Sequence, residues 1–476
     1  MNRARAPLPA ALAALALAAC PGPDTTGKPA ASRPAAAGNR LSVLLVTIDT
    51  LRADHLGAYG YRRATSPNMD ALARRGVVFD QAYTYWPKTR GSFVAMLTGR
   101  LASQTGYGKS HPLLLEFNPT LASVLRDAGY ETAATVDNPN VAASLGYAKG
   151  FSRYRETWEE TALATEMDRT RAITGDGVRY LGEARPDRPF LLWLHYVNPH
   201  APYEPPPPWD TAFLDAAAAR GDRLRPVEGF HGGVPRQWSV PGRTLGGYVA
   251  RYDGEIAAVD AEVGKLLAAL DGSAVRDHTL VVITSDHGES LGEHDYYFDH
   301  GEDLFDPSIR VPLLVAGPGI EGGRRSDVLA TTLDLVPTVL DAVKVSYPPD
   351  LAGESLLPAA RGEPRPDRPR LQGQNDRNLL GAWGRRFKIV ATPSEGGARY
   401  ALYDRASDPG ETRDASRAQA QRAGEERRAL ELVRGRIDAQ LAKTRRLLEG
   451  RPGEERLSPE ACEKLKAMGY VQQGCS

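Results

Sequence analysis

The sequence predicts an α/β fold built on a large, mostly parallel sheet, and three observations carry that reading. Nearly continuous apolar runs recur at 41–48 (LSVLLVTI), 189–196 (PFLLWLHY) and 279–284 (TLVVIT), the pattern of strands buried on both faces. Segments of helical period separate them, as a doubly wound sheet requires. Each run ends in or beside Asp or His: Asp49, then His195 with His200, then Asp286 with His287. Residues beyond the carboxyl ends of such strands converge on one crevice.

The 476 residues suggest one large domain and a smaller one. Lys and Arg together number 59, as do Asp and Glu, so net charge argues for no nucleic-acid partner. Hydrophobic residues at 42% and charged ones at 25% exclude disorder for the bulk of the chain. Arg3 and Arg5 precede a short Ala/Leu run at 8–19, which reads as a signal peptide over 1–19. Leu17-Ala18-Ala19-Cys20 resembles a bacterial lipobox, so lipid on Cys20 is the expected membrane anchor. An ordinary cleaved signal with a chance cysteine is the alternative. The expected location is the bacterial cell envelope, periplasmic or outer-membrane associated. Residues 20–40, rich in Pro, Ala and Gly, read as a flexible tether. The two other cysteines, Cys462 and Cys475, either pair or stay free thiols.

Taken in order, 41–48 is the first buried strand. Ser66-Pro67-Asn68 opens a helix over 69–75 that Gly76 closes, and 77–79 is a short strand. In 86–100 (WPKTRGSFVAMLTGR), Thr89 reads as the N-cap of a helix whose start, flanked by Lys88 and Arg90, suits an anion. A capped helix with two solvated basic residues is the plainer account. A helix over 119–129, a strand over 131–136 and the turn Asp137-Asn138-Pro139-Asn140 follow, then a helix over 161–183. Residues 201–243, rich in Pro and Gly, look like an insertion over the site. A helix over 244–270 leads to the strand at 279–284. Asp286 and His287 form an O/N pair suited to Zn²⁺ or Mn²⁺, and Gly288 lets the backbone turn away sharply. His294, Asp299 and His300 lie in the loop beyond. A strand at 310–317 and a helix at 331–343 complete the larger domain, 41–347, which the resemblance below makes the catalytic one. The remainder, 348–476, reads as a C-terminal α+β subdomain with strands at 386–391 and 400–403 and an amphipathic helix at 429–448.

The phrases VTIDTLRADHLGAYGY, TSPNMDALARRGVVFDQAY, MLTGR, NPHAPY, SDHGESLGEH, RVPLLV and LYDRASDPGE, in that order, resemble the sulfatase family of the alkaline phosphatase superfamily over about 41–413. The resemblance implies an alkaline-phosphatase-like sheet flanked by helices and hydrolysis or transfer of a sulfate or phosphate ester. It also implies a divalent metal (Ca, Mn, Zn or Mg) on Asp49, Asp286 and His287. His200 matches the family's histidine near the substrate. Thr89 falls at the nucleophile position when LTGR is the anchor, and would be a fourth metal ligand. Sulfatases carry Cys or Ser there, followed by Pro and Arg, and convert it to formylglycine. Here Thr89-Arg90-Gly91-Ser92-Phe93 lacks that motif, so formylglycine is not expected. Thr50 replaces the second Asp of the usual strand-end pair, and Asp137-Asn138 replaces a usual Gly-Lys. A Thr nucleophile with His300 in a later DHG phrase is similar to envelope phosphoethanolamine and phosphoglycerol transferases.

On this reading Thr89 attacks directly, activated by the metal. Lys88, Arg90 and Asn138 stabilise charge on the ester oxygens, His195 lies near the substrate, and His200 or His300 protonates the leaving alcohol. The substrate is an anionic ester, a sulfated or phosphorylated lipid or glycan. Phosphoester hydrolysis or transfer is favoured. A true sulfuric ester hydrolase and a non-catalytic envelope binding protein are the competing readings.

Overall fold

The central strand is Ser42–Ile48, buried along its whole length. It runs parallel to Phe190–Tyr196 on one side and to Thr279–Thr284 on the other. The computed structural model describes residues 40–449, apart from 109–110, 217, 221–222, 348–349, 365–367 and 369–370. The signal segment, Cys20, nearly all of the tether, Cys462 and Cys475 lie outside the described residues. The eight-stranded sheet has the order Arg324–Thr331, Val77–Tyr83, Leu313–Ala316, Thr279–Thr284, Ser42–Ile48, Phe190–Tyr196, Glu131–Val136, Arg153–Glu156.

Alternate side chains divide between two apolar layers. Val43, Leu45, Leu191, Trp193, Leu280 and Val282 face the helices Thr89–Thr98, Leu121–Asp127 and Leu335–Ala342. Leu44, Val46, Ile48, Leu192, Val281 and Ile283 face Pro67–Arg75, Glu166–Glu183 and Leu245–Asp271. Both faces are covered, so the strands read as unbroken apolar runs rather than alternating ones. The fold is the expected α/β sheet flanked by helices.

Among the differences from the sequence reading, four have a plain local cause. Leu313–Ala316 is antiparallel to both of its neighbours, because 285–312 stays at the carboxyl edge of the sheet and the chain re-enters from there. The Glu166–Glu183 helix starts later than expected, since Thr165 and Asp168 form a capping box. Val77–Tyr83 continues past Phe79, with the Asp80 carboxylate met by Arg325 of the adjacent strand. Gly288 is not at a positive φ; a Cβ there would lie 2.0 Å from the Pro307 carbonyl oxygen, so close packing, not a turn, demands glycine.

The strands Leu371–Gln374, Leu380–Trp383, Phe387–Ser394 and Gly397–Asp404 form an antiparallel sheet. Trp383, Leu371 and Val390 pack with Tyr83, Leu304, Ile309 and Leu329 of the main body. Leu430 and Ile437 of the helix Ala420–Leu448 cover its other face. Among the described residues no helix is long and apolar enough to cross a membrane.

Candidate active site

Register places the carboxyl ends of four adjacent parallel strands together. Thr47 lies opposite both Thr284 and His195, and His195 lies opposite Val136. Asp49 follows the central strand, and its N–H still donates to Tyr196 O at 2.9 Å. Thr50 is next, at φ 54°, a conformation β-branched residues rarely take. Two hydrogen bonds hold it there: its N–H donates to Asp286 Oδ1 at 3.4 Å, and the Tyr252 hydroxyl donates to its carbonyl at 2.7 Å. Asp286 and His287 leave the neighbouring strand at the same level.

One ligand atom from each of Asp49, Asp286 and His287 lies within 4.8 Å of the others. His287 Nε2 is 3.2 Å from Asp286 Oδ2 and 3.6 Å from Asp49 Oδ1. All three side chains are fully buried. Asp49 Oδ1 and Asp286 Oδ2 accept no hydrogen bond among the described residues. Burial, together with the neighbouring Asp286 charge, holds the Asp49 carboxyl well above the usual range, and burial also raises Asp286. Burial pushes His287 down to about 3, so its ring is neutral. Two crowded carboxylate oxygens and a neutral imidazole, without compensating donors, are costly as they stand. A divalent cation removes that cost, and the donor set fits one.

Thr89 stands at the first turn of Thr89–Thr98, one position inside the N-cap, which is Lys88. Its side chain therefore does not cap the helix. It turns to the cluster, with Oγ1 at 3.1 Å from His287 Nε2. The helix is anchored there because Ser92 Oγ donates to Asp286 O at 2.7 Å, and Phe93 packs on Trp193 and His195. Gly91 lies against Trp86, whose indole carbon would be 2.4 Å from a Cβ.

The remaining expected residues divide into two groups. Asn138 Nδ2 donates to Asp49 Oδ2, and His195 Nε2 lies 3.9 Å from that same oxygen while its Nδ1 lies 3.0 Å from Thr47 Oγ1. Both stand behind the Asp49 carboxylate. Burial lowers His195 to about 4. Arg90 Nε donates to Asn140 Oδ1 at 3.0 Å. Lys88, His200 and His300 instead line a cavity of about 760 Å³ beside the cluster. The His287 and His300 rings are 4.0 Å apart, and His200 meets His300 edge-on at 5.3 Å. Burial lowers His200 to about 4 and carries His300 well below its usual value.

Sequence reasoning missed Glu289 and Ser92. Glu289 is fully buried, and its Oε1 lies 3.1 Å from His300 Nδ1. An acidic residue three positions after Asp286 in the same strand-end loop was the available signal. Ser92 carried none, because its role depends on the contact with Asp286.

A family model described as Sulfatase matches residues 42–345, and one described as N-sulphoglucosamine sulphohydrolase, C-terminal, matches 292–431. The Δ4,5-hexuronate-2-O-sulfatase of Bacteroides thetaiotaomicron is 27% identical, over 80% of this chain and 85% of that protein. The solved structure of a 2-O GAG sulfatase superposes with TM-score 0.68 at 25% identity, covering 84% of this chain and 93% of the other. The phosphonate monoester hydrolase of Agrobacterium radiobacter shares the fold with TM-score 0.69 at 22% identity, covering 84% and 96%.

Proposed function

This chain belongs to the sulfatase family of the alkaline phosphatase superfamily, and from that premise we propose a metal-dependent ester hydrolase whose unmodified Thr89 is the nucleophile. The observation that carries the reading is Thr89 Oγ1 at 3.1 Å from His287 Nε2, beside two carboxylate oxygens without donors. When bound, a divalent ion lowers the pKa of a nearby hydroxyl and neutralises charge on ester oxygens. Asp49, Asp286 and His287 would hold it, with Thr89 as a fourth ligand.

The chain's own groups do the rest. The buried helix start fixes Thr89 Oγ1 for in-line attack. Lys88, on the cavity wall, meets the anionic oxygens. His200 and His300 line the same cavity, and His200 or His300 would protonate the leaving alcohol once a bound anionic ester offsets the burial that keeps both rings neutral. Asn138 and His195 hold the Asp49 carboxylate in place.

A threonine nucleophile favours phosphoesters. A formylglycine hydrate expels sulfate by collapse of its geminal diol. A Thr sulfate has no such exit and awaits attack at a hindered sulfur, whereas a Thr phosphate is open to in-line attack by water or an alcohol. The likeness to a 2-O-sulfatase favours the second reading, a true sulfuric ester hydrolase acting on a sulfated glycan. Initial rates on aryl sulfate, phosphate monoester, phosphodiester and phosphonate, with and without Mn²⁺ or Zn²⁺, separate the two. We expect metal-dependent turnover that is fastest on a phosphoester; turnover of sulfate alone would establish the second reading. The envelope location rests on the lipobox-like phrase ending at Cys20. Cys20→Ala should release the protein from membranes, and unchanged partitioning would remove the anchor.

A further inference from the structure

The cavity beside the cluster is far larger than a phosphoryl or sulfuryl group needs, so most of it must receive the alcohol part of the ester. Its walls show which alcohol. Trp158 lines it from the sheet edge, and Phe230 and Trp238, with ring centroids 5.7 Å apart, line it from the 201–243 insertion. The insertion is held over the site. Tyr297 N donates to Phe230 O at 2.8 Å, and His231 Nε2 lies 3.0 Å from Glu302 Oε2.

The two arginines on the wall are already held by carboxylates, and Lys88 is only loosely paired. Arg169 Nε donates to Asp137 Oδ1 at 2.8 Å, Arg377 meets Glu302 at 2.5 Å, and Lys88 lies 3.9 Å from Asp376. Beyond these pairs the lining adds two carboxylates, Glu166 and Asp299, and, among the described residues, no further Arg or Lys. Glu166 accepts from Asn198 Nδ2 at 2.6 Å, and Asp299 from the Tyr296 hydroxyl at 2.8 Å. A single anionic ester is served by Lys88 and by the cation that Asp49, Asp286 and His287 would hold. A second anionic group would meet Arg169 and Arg377, each already held by a carboxylate. Aromatic rings with hydrogen-bond acceptors between them suit instead the apolar face and hydroxyl edge of a sugar ring.

We propose that this cavity is the subsite for an uncharged, polyhydroxylated ring bearing one anionic ester, and that it discriminates against polyanionic glycans. Phe230 and Trp238 of the insertion supply the stacking surface, and Glu166 accepts from ring hydroxyls. The carboxylates of Asp137 and Glu302 keep Arg169 and Arg377 occupied and leave Lys88 to the ester. This rests on the ester-hydrolase reading above.

The test compares kcat/KM for a monosaccharide monophosphate with that for the same ring carrying an added carboxylate, using 4-nitrophenyl phosphate as reference. The uncharged ring should be preferred about tenfold or more, as expected for one like-charge repulsion in a partly desolvated site. Glu302→Gln, which frees Arg377, should raise turnover of the carboxylated ring and narrow that preference, a gain that misfolding cannot produce. Trp238→Ala should raise KM for the sugar ester more than it lowers kcat. Equal or faster turnover of the charged ring by the wild-type protein, or no narrowing in Glu302→Gln, overturns the inference while aryl phosphate turnover leaves the hydrolase reading standing. No turnover of any ester, aryl phosphate included, overturns both.

Discussion

The proposed chemistry turns on Thr89. Its hydroxyl is buried at a helix start and aimed at His287 Nε2. Thr89→Ala should lower kcat by roughly three orders of magnitude or more, the loss typical of a covalent nucleophile. Thr89→Ser keeps the hydroxyl and should retain part of the rate. Steady-state kinetics on the best phosphoester checks both, and near-wild-type kcat in the alanine variant would remove Thr89 from the mechanism. At this scale the sequence was informative where chemistry follows residue type. Asp49, Asp286 and His287 were legible because carboxylate and imidazole groups at the ends of apolar runs have few structural uses. The positions of His195 and Asn138 behind Asp49 were not legible, because which side of a ligand a residue occupies depends on packing between strands.

The helix Thr89–Thr98 acts as a unit that carries its first residue to the cluster. Gly91 allows it to sit against Trp86, where a Cβ would fall 2.4 Å from the indole ring. Trp86 is itself almost wholly buried and cannot step aside. Gly91→Ala should therefore shift the helix start and lower kcat about tenfold to a hundredfold, since small misplacements of a nucleophile are costly. Circular dichroism should show the fold retained; unchanged kcat would mean that the helix start tolerates displacement. The sequence located this helix but read Thr89 as its cap. Lys88, with extended backbone, holds the cap position instead, and Thr89 turns inward because a better partner exists across the site. Helix ends are hard to place from local signals when tertiary contacts compete for the same side chain. Gly288 repeats the lesson, since glycine marks a close approach to Pro307 that no local pattern announces.

For the whole molecule, burying neutral histidines at the heart of the sheet makes stability depend on pH. His195 is fully buried and burial lowers its pKa from 6.5 to about 4. The unfolded chain then binds a proton below about pH 6.5 that the folded chain refuses until about pH 4. Stability should fall through that window as pH drops, by up to ~3 kcal/mol from this group. The raised carboxyls Asp49 and Asp286 act with the opposite sign, so the difference between two proteins reports the histidine together with its interaction with Asp286. Urea midpoints of wild type and His195→Gln, taken between pH 4 and 7, should converge as pH falls, and parallel curves would contradict the assignment. At this scale the alternation of apolar runs and helical periods made the α/β architecture legible. The antiparallel entry of Leu313–Ala316 was not, because strand direction depends on which edge the preceding loop occupies. The aromatic lining brought by 201–243 was also beyond reach, since a Pro- and Gly-rich segment has no periodicity from which to place its rings.

The central claim is that Thr89 itself becomes phosphorylated. The most direct measurement is peptide mass spectrometry of protein quenched in acid during turnover of a phosphodiester. We expect a phosphoryl group on the peptide containing Thr89, localised to that residue by fragmentation, with no aldehyde at this position in the resting protein. An unmodified Thr89 throughout turnover, or an adduct on another residue, would contradict it.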